Sequence, residues 1–171
     1  ILAVTRLTYA DRYKGIEHLI EAMPRIRAGI PAATLRIVGR GDDLPRLKQR
    51  TAELGLEDVV EFTGYVDDTR LAVEMGSCRL FALPSRKEGF GLVFLEAMAH
   101  GRPCLGARAG GVPEVITPET GLLAEYGDVP GIADAAIEAL RRDWNSDRIL
   151  ARAREFSFVS FRDKLSGLLV R

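Results

Sequence analysis

Residues 85–101 read SRKEGFGLVFLEAMAHG. A polar loop passes through Gly89 and Gly91 into an apolar segment. Those glycines let the backbone turn sharply and approach a ligand closely. Leu92 to Ala99 is apolar apart from Glu96, which predicts a helix buried nearly all round. A helix that opens straight after a glycine turn offers free N–H groups to an anion. Two carboxylates frame the turn eight positions apart, Glu88 in the loop and Glu96 more than a turn inside the helix. A carboxylate on an apolar helix is costly unless it is hydrogen-bonded. Sugar or ribose hydroxyls would satisfy it, and so would a structural arginine. Taken singly, Glu88 also reads as a solvated loop residue and the glycines as an ordinary turn.

Working outward, the same unit recurs along the chain. Apolar runs predict strands at Ile1–Thr5, Thr34–Val38, Val59–Thr63, Arg79–Leu83, Pro103–Gly106 and Gly121–Ala124. Between them lie helical patterns. Gly15–Ala28 carries Ile16, Leu19, Ile20, Met23 and Ile26 at helical spacing. Another helix starts at Asp42 or Asp43 as N-cap and stops at Gly55. Asp67 or Asp68 caps a third, running to about Met75. A short helix covers Pro113–Ile116, and Pro130 opens one that ends near Arg142. Asn145 or Ser146 caps the next, to about Phe156, and a last covers Phe158–Leu169. Strands alternating with helices argue an α/β domain with a parallel sheet. Ligands of such sheets bind beyond the carboxyl ends of the strands. Those ends are Arg6, Gly39, Gly64, Ser85 and Ala107.

Composition limits the functional classes. The chain has 171 residues, enough for one domain with a sizeable core. Its 24 basic and 24 acidic residues cancel, so it carries no nucleic-acid footprint. From Arg141 to Arg171 there are eight Lys/Arg against four Asp/Glu, which reads as a solvated helix face. Cys78 and Cys104 lack metal-ligand spacing and sit in apolar segments, as buried free thiols do. His18 and His100 stand alone on predicted helices and read as structural. No apolar run reaches the length of a membrane span, and no signal peptide is visible. Cytoplasmic localisation is the default. The chain starts ILAVTRL, without Met and already inside a strand, which suggests a piece of a longer protein.

Catalytic signatures of other classes are missing. There is no G-x-S-x-G elbow, no Walker loop and no D-x-D pair after a strand. VGRGDD at 38–43 lacks the third glycine and the ribose acid of a dinucleotide fingerprint. No His, Cys and acid cluster has metal spacing, so neither a metal nor a resident cofactor is expected. Lys14, at the start of the first long helix, opposes the helix dipole unless an anion is bound. Arg6 and Lys14 also read, one at a time, as solvated surface charges.

In combination these features resemble a known family. Glu88 and Glu96 with LPS at 83–85, EGFG at 88–91, LEAMAHGRPC at 95–104 and GGVPEV at 110–115 are similar to the E-x7-E element and flanking words of family 4 retaining glycosyltransferases. The resemblance implies a Rossmann-like parallel sheet flanked by helices, the C-terminal half of a GT-B enzyme. It implies a donor that is a UDP-, GDP- or ADP-sugar. Glu88 would hold the sugar and Glu96 the ribose. TRLTYADRYKG resembles the loop that grips the diphosphate, with Arg6 and Lys14 at the matching positions. Arg12 competes with Lys14, because the loop is longer than in many members. Gly39 and Gly41 would line the nucleotide, Tyr65 and Val66 the base, and the Phe90, Gly91 and Leu92 amides the sugar and phosphate. Glu88, Arg6 and Lys14 would be catalytic. The acceptor site and much of the catalytic cleft lie in the family's N-terminal half, absent here, so the isolated chain is expected to bind donor weakly, if at all, and not to turn over. Through that half the resemblance allows peripheral membrane association. Two alternatives stay open: a non-catalytic nucleotide-sugar binding module and a nucleotide-sugar epimerase on a related fold.

Overall fold

The computed structural model describes residues 1–156. The last predicted helix, Phe158–Leu169, lies outside them. Six strands form one parallel sheet: β1 (Leu2–Val4), β2 (Leu35–Val38), β3 (Val60–Gly64), β4 (Phe81–Leu83), β5 (Cys104–Ala107) and β6 (Gly121–Ala124). Each is short, and the middle ones are buried on both faces, as their unbroken apolar runs require. The helices are α1 (Ile16–Gly29), α2 (Leu44–Glu53), α3 (Asp68–Ser77), α4 (Leu92–Met98), α5 (Val112–Val115), α6 (Val129–Arg141) and α7 (Ser146–Glu155). The α/β reading holds, with element boundaries moved by at most two residues.

Spatial order in the sheet is β3-β2-β1-β4-β5-β6. Register pairs Ala3 with Ile37, Leu2 with Phe81, and Phe81 with Cys104. The chain therefore winds outward from β1 to one edge, crosses over through α3, and winds outward from β4 to the other. Because each parallel crossover is right-handed, reversing direction puts the two sets of helices on opposite faces. α1 packs on α2 and α6, while α4 packs on α3 and α7. Phe81 and Phe94 meet edge to face at 5.6 Å, both fully buried, and seat α4 on the sheet.

The caps differ in one respect from expectation. Asp67, Asp128 and Asn145 accept from backbone amides of Arg70, Gly131 and Arg148 as N-caps do. Asp43 stands at the N-cap position of α2, but its carboxylate caps nothing. It is buried and bound to arginines, as described below.

Candidate active site

The winding reverses between β1 and β4, so the loops leaving these two strands diverge and open a crevice at their carboxyl ends. A groove of ≈ 330 Å³ lies there, with Val4, Thr5 and Lys14 on one wall and Glu88, Phe90 and Leu92 on the other. A larger hollow of ≈ 660 Å³ lies beside α2 and the amino halves of β2 and β3, away from the strand ends where ligands of such sheets bind.

The wall from β1 is a 3-10 helix, Tyr9–Lys14, which ends at Gly15. Gly15 has φ 75°, and a Cβ there would stand 2.2 Å from the Pro84 carbonyl oxygen. Only glycine lets the first loop press so closely on the chain leaving β4. That contact, with the bond from the Arg86 amide to the Tyr13 carbonyl at 2.8 Å, brings Lys14 to Glu88. Lys14 Nζ donates to Glu88 Oε1 at 2.5 Å, and the two side chains are only 17% and 11% exposed. Glu88 is in turn fixed by its carbonyl, which accepts from the Gly111 amide at 3.0 Å. The GGVPEV stretch thus has a physical use as a brace for the loop of Glu88.

Arg6 lies outside this groove. It is 76% exposed and donates to Asp11 Oδ1 at 3.1 Å. Asp11 also accepts from Thr8 Oγ1 at 2.7 Å and Tyr13 Oη at 3.1 Å. Burial alone would raise the Asp11 carboxyl. The hydrogen bonds from Thr8 and Tyr13 and the charges of Arg6 and Lys14 outweigh burial and hold it below its ordinary value. Arg12 is not at the groove. It bonds Asp43 Oδ1 at 3.0 Å and lies over the Tyr9 ring at 4.3 Å. Arg46 joins the same carboxylate and also meets Glu17. Of the two candidate cations Arg12 and Lys14, the structure brings only Lys14 to the groove. Asp11 and Asp43 anchor the loop, and sequence reasoning missed the first and took the second for a cap. DRYK and GDD lie 31 positions apart, and nothing in the sequence pairs them.

Gly39 and Gly41 follow β2. The first loop crosses them so tightly that a Cβ on Gly39 would be 1.8 Å from the Thr5 carbonyl oxygen, and one on Gly41 2.1 Å from that of Leu7. Their absent side chains are therefore filled by protein backbone. Tyr65 is 70% exposed beyond β3 with Arg40 over its ring at 5.2 Å, and Val66 packs on the core. Phe90 stacks edge to face on Phe156 at 5.3 Å. Gly91 precedes α4 with φ 74°, and the amides of Phe90, Gly91 and Leu92 donate to no described protein acceptor.

Glu96 corrects an expectation. The helix is not buried all round: Phe94, Ala97 and Met98 face the core, whereas Leu92 and Glu96, one turn apart, share an open face. The exposed Glu96 carboxylate needs no structural arginine, and the one side chain that bears on it among the described residues is His100. Partial desolvation by the flanking chain pushes its pKa up from the ordinary value, against a weaker pull from His100. His18 meets Tyr126 edge to face, and both cysteines are free, with Cys78 half-buried and Cys104 buried. Among the described residues no group of His, Cys, Asp and Glu is placed to hold a metal, and no helix is long and apolar enough to cross a membrane.

A parallel sheet of this order has known counterparts. The model of the family described as glycosyl transferases group 1 matches residues 1–142. The N-acetyl-alpha-D-glucosaminyl L-malate synthase of Bacillus anthracis is 39% identical over 154 residues, which is 90% of this chain and 40% of that protein. A GDP-mannose-dependent alpha-(1-6)-phosphatidylinositol monomannoside mannosyltransferase of Mycobacterium tuberculosis is 38% identical, over 74% of this chain and 35% of that protein. The crystal structure of Anabaena HepE with UDP and glucose superposes with a TM-score of 0.81 at 26% identity, covering 99% of this chain and 47% of that one. The chain thus spans less than half the length of each of these relatives. Sequence and topology agree along nearly its whole length: the chain belongs to the group 1 glycosyl transferases, and its sheet is a Rossmann-like domain of their GT-B fold.

Proposed function

We propose that this chain is the C-terminal, donor-binding half of a retaining glycosyltransferase that takes a sugar from a nucleoside diphosphate. The observation that carries the reading is the meeting of Lys14 and Glu88, a cation and a carboxylate, at the sheet's reversal point. Relatives named for GDP-mannose and a neighbour solved with UDP and glucose support that class of donor.

In this reading Lys14 faces the diphosphate from the groove, and Arg6, exposed at the end of β1, reaches it from outside the groove. As the sugar departs, negative charge grows on the phosphate oxygens, and the two cations stabilise that charge more than they stabilise the ground state. Glu88 orients the sugar hydroxyls and steadies positive charge on the ring. Glu96, on the open face of α4, holds the ribose. Gly39 and Gly41 let backbone line the nucleotide, Tyr65 and Val66 flank the base, and the free amides of Phe90, Gly91 and Leu92 reach sugar and phosphate. Positive charge comes from side chains, and no resident cofactor is invoked. The acceptor, and any membrane contact, belong to the part of the protein outside this chain, so the isolated domain binds donor without turnover. Its two unpaired cysteines suit a reducing compartment, and we place it in the cytoplasm.

Calorimetric titration of UDP, GDP and ADP tests the reading. One of them is expected to bind, and Lys14→Ala should lower its affinity about tenfold or more, the worth of a largely buried charged hydrogen bond. Arg6→Ala, at an exposed cation, should lower it by less than about fivefold. The double variant should depart from additivity. Equal losses for the phosphate-free nucleoside would sink the diphosphate assignment.

A further inference from the structure

The Lys14–Glu88 pair joins two groups that the proposed reaction uses separately, one for phosphate and one for sugar. They reach the groove from segments 74 positions apart, and each is mostly screened from water. Glu88 has little freedom, because its carbonyl is tied to the Gly111 amide and Gly110 packs against its backbone. Lys14 has more. Its four-carbon stem leaves the end of the 3-10 helix, and its ammonium lies 5.4 Å from the Tyr13 ring centroid. An arriving diphosphate therefore competes with Glu88 for the ammonium. When Lys14 turns to phosphate, Glu88 is left as a partly buried carboxylate without its cation, which is costly. A sugar on the diphosphate repays that loss with hydroxyl donors. A bare nucleoside diphosphate does not.

We propose that Glu88, by competing for Lys14, determines selectivity between a donor that still carries its sugar and the spent nucleoside diphosphate. The carboxylate acts as a counterweight: it taxes binding of every diphosphate, and only the sugar lifts the tax. Product is thereby expelled more readily than donor, and the residue that recognises the sugar also senses its departure. The neighbouring cations do not replace Lys14. Lys87 lies 5.9 Å from the Tyr13 ring centroid and Arg86 over Tyr126, whereas the described bond to the Glu88 carboxylate comes from Lys14. The inference rests on the donor-binding reading above.

The test titrates UDP, GDP and ADP, and UDP-glucose, GDP-mannose and ADP-glucose as their sugar-bearing forms, into the unmodified chain, Glu88→Gln, Lys14→Met and the double variant, with thermal unfolding of each as a fold control; equal tightening of a nucleotide and its sugar-bearing form by Glu88→Gln would overturn the selectivity. The nucleotide that the unmodified chain binds should bind Glu88→Gln about ten- to a hundredfold more tightly, the worth of freeing one charged hydrogen bond. Lys14→Met should weaken it, and in that background Glu88→Gln should bring no tightening. Should Glu88→Gln fail to fold, Glu88→Asp, which withdraws the carboxylate by one methylene, should shift affinity in the same direction by a smaller factor. Measurable binding to the unmodified chain with unchanged or weaker binding to the folded Glu88 variants would overturn the inference and leave the donor reading standing. Absence of binding by all three nucleotides to every form would overturn the donor reading itself.

Discussion

Replacing Asp43 by Asn removes one charge and almost no volume, and it isolates what anchors the first loop. The Asp43 side chain is 3% exposed. Its Oδ1 accepts from Arg12 at 3.0 Å and from Arg46 at 2.8 Å, and its Oδ2 accepts from Arg46 at 2.8 Å. Its amide donates to the Leu7 carbonyl, so the same residue holds the loop by main chain and side chain. Taking one partner from a fully buried ion pair costs about 3–5 kcal/mol. Here Arg12 and Arg46 are 44% and 26% exposed, and water screens what they lose. The expected cost is about 2 kcal/mol at neutral pH, or a fall in Tm of roughly 4–8 °C for a chain of this size. Burial would push the Asp43 carboxyl up, but the bonds from Arg46 and Arg12 outweigh it and hold the carboxyl below its ordinary value. A carboxyl lowered in the folded state adds stability above the unfolded-state pKa, about 3.9, and loses it as pH falls through the folded-state value. Urea midpoints of the two proteins should thus differ fully at pH 7 and converge below about pH 4. A difference at pH 7 under about 0.5 kcal/mol, or one that persists undiminished in acid, would refute the charge anchor.

Gly15→Ala should destabilise by more than about 2 kcal/mol in a denaturant melt, since left-handed backbone alone costs an L-residue about 1–2 kcal/mol and the new methyl strikes the Pro84 carbonyl; a neutral result would mean the loop is not pressed on β4. Glu96→Gln should leave the unfolding midpoint within about 0.5 kcal/mol, because the side chain is exposed, while nucleoside diphosphate affinity drops about tenfold through loss of a charged acceptor. A collapsed melting temperature with unchanged affinity would make Glu96 structural instead.

Much of this molecule was legible in order along the chain. Alternating apolar runs and amphipathic periods are local, so Ala3, Ile37 and Phe81 announce buried strands and Ile16, Leu19 and Met23 the core side of α1. The turn after Glu88 was legible, because a strand-to-helix turn with two glycines is itself a local device, and Glu88 lines the groove. Exposure on α4 was not legible. A nearly all-apolar helix pattern does not say which residues the neighbouring helices cover, and α3 and α7 leave Leu92 and Glu96 open. Partners of charged side chains were hidden for a related reason. The sequence places Arg12, Lys14, Asp43 and Glu88 but carries no signal for contacts 31 and 74 positions apart. The shorter contact closes because β1 and β2 are neighbours whose loops cross at Gly39 and Gly41, and the longer one because β4 flanks β1 on its other side and Gly15 lets the first loop press on Pro84, so the choice of Lys14 over Arg12 at the groove belongs to the tertiary structure.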